Sequence, residues 1–268
     1  MNKLPKVLIT GASAGIGATY ADRFAKRGHD LVLVSNEPEQ LAYVGNQLAA
    51  REGIKVECIN ADLTNDSDLV KIEAKLKADE EIGILVNNAG MSLPGVTIQN
   101  SREKLAKIIS LNANQVALLS AAAASSFAGR GSGAIINIAS VLGLAAVPQI
   151  APAIYSATKA FVITLSQSLR VELAESGVYV QCVLPAATRT EIWQKSGMNP
   201  KEIPGMIDAR DLVDAALVGF DREEAITIPT LVDEHAWDAY DAARAAVLPP
   251  SLGGAVANRY RVANLLAD

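Results

Sequence analysis

Tyr155 and Lys159 stand four positions apart in the stretch Tyr155-Ser156-Ala157-Thr158-Lys159. On a helix that spacing puts both side chains on one face. A free phenol has a pKa near 10, too high to exchange protons readily at neutral pH. A nearby ammonium favours the phenolate and lowers that value. The pair could therefore serve as a general acid/base on a carbinol or carbonyl oxygen. Taken alone, the two residues are explained more plainly by a surface helix carrying a snorkelling lysine.

A second stretch with chemical potential lies near the N-terminus. Val7-Leu8-Ile9-Thr10 runs into Gly11, Gly15 and Gly17, a G-x-x-x-G-x-G spacing. A glycine turn between a strand and a helix makes a phosphate site. Gly11 permits the sharp turn, while Gly15 and Gly17 allow close backbone approach and tight helix packing. The helix N-terminus then offers N–H groups and a favourable dipole to an anion. An ordinary structural turn uses glycines too, and this spacing departs at its front from the G-x-G-x-x-G dinucleotide fingerprint. Its position, first in the chain with a strand before and a helix after, favours the phosphate reading.

These residues need a frame, and the chain supplies one of alternating elements. Strand-length apolar runs fall at Val7–Thr10, Asp30–Val34, Lys55–Asn60, Ile84–Asn87, Gly133–Ala139, Val178–Leu184 and, more weakly, Ala225–Ile228. Helical patterns lie between them at Ile16–Arg27, Glu39–Glu52, Asp66–Lys77, Arg102–Phe127, Tyr155–Ala174 and Asp208–Gly219. Continuously apolar, β-branched strands fit a parallel sheet covered on both faces. The alternation predicts an α/β fold, a doubly wound and mostly parallel sheet with helices on both faces. After Thr190 the regularity weakens, and Asp233–Arg244 and Ala255–Leu266 read as extra C-terminal helices. We therefore expect one domain over residues 1–268. Residues 4–190 form its core, and 191–268 form a substrate lid and the C-terminal helices.

Composition narrows the partners. The 268 residues fit one large α/β domain, and half of them are hydrophobic. A net charge of −5 without a basic run argues against nucleic acid or an anionic membrane. Cys58 and Cys182 sit in apolar runs and read as buried small hydrophobes of a reducing compartment. The first residues lack the apolar length of a signal peptide or a membrane span. The expectation is a soluble, cytoplasmic protein. No metal-ligand spacing occurs, and the two histidines, His29 and His235, lie far from the motifs.

Further motifs follow in order along the chain. Asp62-Leu63 follows the third strand and Asn87-Asn88-Ala89-Gly90 the fourth. Asn112 lies in the long middle helix, and Ser140 ends the fifth strand. Leu184-Pro185 ends the sixth, with Thr188 and Thr190 beyond it. Together with Thr10–Gly17 and Tyr155–Lys159, this ordered set resembles the short-chain dehydrogenase/reductase family in its single-domain form. The resemblance covers residues 4–190 closely and the remainder loosely. It implies a Rossmann-like fold, an NAD or NADP cofactor, and hydride transfer to or from a secondary alcohol or ketone.

The resemblance also implies roles. Tyr155 would be the general acid/base. Lys159 would tune it and hold the nicotinamide ribose. Ser140 would orient the substrate oxygen, and the Asn112 backbone would hold a water leading to the lysine. Asn114 competes with Asn112 for this place, and register favours Asn112; either could instead simply face solvent. Ser140 could instead cap a strand end. The implied cofactor set is Gly11, Ser13, Gly15, Ile16, Gly17, Asn36, Asp62, Leu63, Asn88, Ala89, Gly90, Tyr155, Lys159, Pro185, Thr188 and Thr190. Asp62 would accept from the adenine amino group, or merely cap a turn. Asn87–Gly90 would pass under the adenine ribose, or form an ordinary strand-end turn. Thr188 and Thr190 would bond the carboxamide.

Two features depart from the family pattern. Ser140 and Tyr155 are fifteen apart, longer than the common spacing, and Ala186 stands where a glycine is usual after Pro185. At the end of the second strand Asn36 selects neither cofactor, Ala14 adds no cation, and Glu37 adds negative charge. This favours NAD over NADP. Substrate contacts fall to Ser140, Leu142, Tyr155 and Trp193. An apolar wall of Met91, Leu93, Leu142, Val147, Ile150, Trp193 and Met206 reads equally as core packing. The resemblance further implies a homodimer or homotetramer through the two long helices, with Ala121–Ala124, Ala160, Ile163, Leu165 and Leu169 at the contact. A catalytically silent nucleotide-binding regulator would be expected to lack Tyr155 or Lys159. An epimerase would need a larger C-terminal region.

Overall fold

Val7 and Ile9 of β1 (Lys6–Thr10) point to one face of the sheet and Leu8 to the other, and all three are fully buried. A strand covered on both sides has no reason to alternate, which is why the runs read as continuously apolar. The computed structural model describes residues 4–146, 151–197, 199, 203, 205–233, 235–254 and 256–260, without the side chains of 249 and 250. The other strands are β2 (Leu31–Ser35), β3 (Val56–Asn60), β4 (Ile82–Asn87), β5 (Gly133–Ile138), β6 (Val178–Val183), β7 (Thr188–Arg189), β8 (Ile207–Asp208) and β9 (Ile226–Thr227). Seven form one parallel sheet in the order β3-β2-β1-β4-β5-β6-β9, and β7 pairs with β8 separately.

The helices are α1 (Gly15–Lys26), α2 (Pro38–Glu52), α3 (Asp66–Ala78), α4 (Arg102–Ile109), α5 (Gln115–Arg130), α6 (Ala153–Glu172), α7 (Ile192–Lys195), α8 (Ala209–Asp221) and α9 (His235–Ser251). Tyr20 of α1, Leu41 and Leu48 of α2, and Val213 of α8 fill one core with Val7 and Ile9. Leu69 and Ile72 of α3, Leu119 and Phe127 of α5, and Leu169 of α6 fill the other with Leu8. This is the doubly wound architecture expected. The strand order reverses between β1 and β4, opening a crevice at their carboxyl ends.

Several elements differ from the sequence reading. The helix expected over Arg102–Phe127 is interrupted. α4 passes through a π-helical segment, Ser110–Asn114, into α5, and the Gln115 N–H bonds Ser110 O, five residues back. The run Arg102–Arg130 is long and apolar enough to cross a membrane, but over half of its most apolar 18-residue window is buried inside the protein, as in a core helix. β3 is an edge strand with only β2 beside it, so its residues are exposed or half-buried. Cys58 is accordingly exposed, against expectation, whereas Cys182 on interior β6 is buried.

The chain divides into two compact units, Met1–Pro229 and Thr230–Asp268. The division falls well beyond Thr190, because α8 packs into the first core and β9 pairs with β6. The second unit carries α9, where the Trp237 and Tyr240 rings lie 5.5 Å apart. Of the helix expected over Ala255–Leu266, residues 255 and 261–266 lie outside the described residues, and Asn258–Tyr260 forms a single 3₁₀ turn.

Beneath the crevice runs a buried polar chain. Asn87 Nδ2 donates to Ser120 Oγ at 3.0 Å and to Asn137 Oδ1 at 2.9 Å, and Asn137 Nδ2 donates to Ser166 Oγ at 3.0 Å. It ties β4 and β5 to α5 and α6, the elements that carry or adjoin the candidate catalytic side chains. Asn137→Ala strips Asn87 of one acceptor in a dry site and should cost about 2 kcal/mol of stability. A urea denaturation midpoint equal to that of the unmodified protein would contradict this role.

Candidate active site

Gly11 and Gly15 adopt left-handed φ values of +64° and +57°, which non-glycine residues rarely take. A Cβ on Gly17 would collide with the Gly11 carbonyl oxygen and the Asn88 amide. Asn88 Nδ2 donates to Thr10 O at 2.9 Å and Gly11 O at 3.1 Å. Thr10 Oγ1 accepts from the N–H groups of Asn88 and Ala89, each at 3.0 Å. The turn after β1 and the turn after β4 are thus one construction. Thr190 closes on it from the far side, since a Cβ on Gly15 would lie 3.1 Å from Thr190 Cγ2. α1 begins without a side-chain cap or an acidic residue in its first turn, leaving its positive end uncompensated. A glycine turn feeding an uncapped helix N-terminus fits the diphosphate of a dinucleotide. Ile16 and Leu63 pack into the cores on either side. Asp62 spends Oδ1 on the Thr64 N–H and hydroxyl at 2.9 and 2.7 Å, so in this structure it caps its own turn.

At the end of β2 Asn36 is exposed. The Glu37 carboxylate instead reaches the glycine turn, where Oε2 accepts from Ser13 Oγ at 2.7 Å. Its Oε1 accepts from Lys195 Nζ of α7 at 2.6 Å. The lysine and the serine hold this carboxyl below its usual range.

The structure gathers the four catalytic candidates around α6. Lys159 is only 6% exposed, and its Nζ donates to Ile138 O at 2.9 Å, 5.8 Å from the centre of the Tyr155 ring. Burial depresses its pKa to about 8. Tyr155 does not follow the expected direction: burial raises its pKa above 10, and Ser140 pulls weakly the other way. The physical reason is that the ammonium rests on a main-chain carbonyl instead of bonding the phenol. Ser140 Oγ donates to Pro185 O at 3.3 Å and accepts from the Leu142 N–H at 3.2 Å, capping the turn Val141–Gly143.

Asn112 sits in the π segment, 1% exposed. Its amide donates to Met91 O at 2.8 Å and Thr158 Oγ1 at 3.2 Å, and its Oδ1 accepts from Met91 N at 2.9 Å. Asn114 is exposed, so of the two asparagines only Asn112 turns into the interior. A Cβ on Gly90 would lie 3.3 Å from Asn112 Oδ1 and 3.7 Å from Lys159 Nζ, so this glycine makes room for both side chains.

Beyond β6, Thr188 Oγ1 donates to Ala186 O at 2.9 Å, and Thr188 O accepts from Trp193 Nε1 at 2.7 Å. The indole is thereby fixed to β7. Of the expected wall, Leu93 is buried, while Met91, Leu142, Trp193 and Met206 are half-buried. Val147 and Ile150 lie outside the described residues. A cavity of about 560 Å³ is lined by Leu142, Ala145, Ala146, Ala153, Ser156, Ala157 and Ala160 among others. Its α6 residues lie roughly 130° around the helix from Tyr155 and Lys159. That cavity is therefore on another side of α6 from the catalytic pair.

Sequence reasoning missed Lys195, which meets Glu37 from 158 positions away. It also missed the Thr10 hydroxyl and Gln115, whose buried Nε2 donates to Ala89 O at 3.3 Å. Thr10 and Gln115 adjoin motif residues, and a polar residue inside an apolar run was the available signal. Lys195 gave none.

The sequence model of a family described as short chain dehydrogenase matches residues 5–201. A very-long-chain 3-oxoacyl-CoA reductase from Bos taurus is 36% identical over 189 residues, 69% of this chain and 60% of that protein. The match thus spans under two thirds of the curated relative's length. A short-chain dehydrogenase from Sphingobium yanoikuyae, solved in complex with NADPH, is 50% identical with a TM-score of 0.94, covering 96% of this chain and 100% of its own. A bulky-bulky ketone specific alcohol dehydrogenase from Comamonas testosteroni is 43% identical with a TM-score of 0.90, covering 97% and 100%.

The buried lysine makes stability depend on pH. Its pKa is about 8 in the folded chain and 10.5 ordinarily, so between these values the unfolded chain holds a proton that the folded chain lacks. Its contribution to stability therefore rises with pH across that window. Lys159→Met should be more stable than the unmodified protein at neutral pH, with the difference narrowing as pH rises through the window. Parallel stability profiles for the two proteins would show that Lys159 is not desolvated.

Proposed function

This chain belongs to the short-chain dehydrogenase/reductase family, and from that premise we propose that it interconverts ketones and secondary alcohols with Tyr155 as acid/base. The observation that carries the reading is the convergence of Ser140 and Lys159 on Tyr155 beside the glycine cradle. The enzyme is NAD(P)-dependent. A bound nicotinamide dinucleotide supplies or accepts the hydride. The turn of Gly11, Gly15 and Gly17 would hold its phosphates, and Lys159 its nicotinamide ribose. In the reductive direction Ser140 hydrogen-bonds the carbonyl oxygen and aims it at the phenol. The Tyr155 proton passes to that oxygen as the carbonyl carbon gains the hydride, leaving a phenolate. The ammonium of Lys159 stabilises the phenolate. Asn112 fixes the Met91 backbone and the Thr158 hydroxyl beside the lysine.

Two of the relatives are named for carbonyl compounds, a 3-oxoacyl-CoA and bulky ketones. We take the substrate class to be ketones with sizeable apolar substituents, in keeping with Met91, Leu142 and Trp193. The NAD preference drawn from Glu37 loses part of its basis, because Lys195 balances that charge. A cytoplasmic setting belongs to the same proposal and accords with two free cysteines.

Tyr155→Phe keeps the ring and removes the proton. Turnover of the best ketone, read by nicotinamide absorbance, should fall about 10²–10⁴-fold while dinucleotide binding persists. Retention of most activity would overturn the acid/base assignment.

The oligomer proposal needs amending in its residues. Ala122–Ala124, Ile163 and Leu169 are buried against their own sheet and cannot meet a second copy. The open faces of α5 and α6 carry Ala121 of the expected set, together with Leu118 and Ser125, and Ala157, Phe161 and Thr164. These recur at helical spacing and offer small or apolar contact to a two-fold partner. Light scattering should give a dimer or tetramer for the unmodified protein and a smaller species for Phe161→Asp. A monomeric unmodified protein would refute the pairing.

A further inference from the structure

Glu37 places a carboxylate in a nest of donors drawn from separate parts of the chain. Ser13 Oγ from the glycine turn donates to Oε2 at 2.7 Å, and Lys195 Nζ from α7 donates to Oε1 at 2.6 Å. Ser35 Oγ, at the end of β2, donates to Ser13 Oγ at 3.0 Å and accepts from the Glu37 N–H at 3.2 Å. Lys195 also pairs with Glu191 at 3.2 Å, one turn earlier on its own segment. One hydroxyl and an ammonium bond the carboxylate, and a second hydroxyl backs the first, a donor set of phosphate type. In a dinucleotide-binding sheet, the end of the second strand is where the 2′ position of the adenosine ribose is read.

We propose that Lys195 is the cation that recognises the 2′-phosphate of NADP, and that Glu37 holds its place until the phosphate arrives. This rests on the reading that the cradle binds a nicotinamide dinucleotide. The side chains of Lys195 and Glu37 are 56% and 38% exposed, so their pair is weak and readily exchanged. A phosphate carries more charge than a carboxylate and has three acceptor oxygens. It therefore competes well for Lys195, Ser13 and Ser35, while Glu37 turns outward to solvent. With NAD no phosphate competes. Glu37 then keeps the lysine and is free to accept from the ribose hydroxyl. One site thus accommodates both cofactors, and Lys195 sets their ratio. Neither Asn36 nor Ala14 could supply that charge.

The test is equilibrium titration of the full-length protein with NADPH and with NADH, following the fluorescence of each on binding. Lys195→Met should lower the NADPH-to-NADH affinity ratio about tenfold, equivalent to ~1.4 kcal/mol. Lys195→Arg should preserve most of the ratio, and Glu37→Gln should raise it by removing the competing anion. Added salt should weaken NADPH more than NADH in the unmodified protein and lose that difference in Lys195→Met. If Lys195→Met leaves the ratio unchanged, or weakens both cofactors equally, Lys195 does not read the phosphate. An unchanged or lower ratio in Glu37→Gln overturns the place-holding role. Failure of both dinucleotides to bind the unmodified protein would defeat the proposed function itself, an outcome distinct from equal binding of the two.

Discussion

The Asn88 amide donates to two successive carbonyl oxygens, Thr10 O and Gly11 O, across the point where the strand order reverses. The contact leaves no room for a Cβ on Gly17, and little for one on Gly11. The glycines are therefore required by the protein's own backbone before any ligand is considered. Because the amide fixes the turn after β1 to the turn after β4, it also places Gly90 and Met91. Met91 in turn receives both ends of the Asn112 amide. The glycine turn and the pocket around Lys159 are in this way held in one register by a handful of hydrogen bonds. Each is worth far more broken than its modest net value intact, since a broken one leaves a dry, unpaired group.

Asn112 shows how an unfavourable local choice becomes useful. Asparagine competes with helical hydrogen bonding, and the chain responds with a π segment instead of ending the helix. Such segments concentrate at functional sites. Here the segment turns a polar side chain inward from a helix otherwise built of apolar core residues. The chain Asn87–Asn137–Ser166 does similar work one layer down, because it joins β4, β5 and α6 with polar contacts that require one register.

Much of this was legible in the sequence, for physical reasons that can be named. Val7–Thr10 and Val178–Leu184 are buried on both faces, so composition alone marks them as interior parallel strands. Tyr155 and Lys159 are local in sequence, and helical periodicity suffices to place them together. What escaped depends on contacts between distant segments. Cys58 looks like an interior residue until the sheet order puts β3 at the edge. Lys195 and Glu37 share no local pattern. The Tyr155 shift could not be foreseen, because its sign depends on whether the neighbouring ammonium meets the phenol or a carbonyl. Here the Ile138 carbonyl takes it.

Those two shifts, read together, bear on how the site reloads. Desolvation penalises charge on both groups, so the phenol keeps its proton above the usual 10.0 and the ammonium gives one up near 8. A phenol that stays protonated at neutral pH is ready to donate to a carbonyl oxygen. In the proposed reaction, once it has done so, the lysine would be the stronger acid of the pair, and a proton would pass from Lys159 toward the Tyr155 phenolate. With Nζ 5.8 Å from the ring centre and bonded to the Ile138 carbonyl, a bridging hydroxyl or water would carry the proton. Lys159 must then be reprotonated, and Asn112 lies within its surroundings on the π segment. Burial of the lysine, which costs stability, is thus what would suit it to return a proton to a buried tyrosine in the proposed reaction.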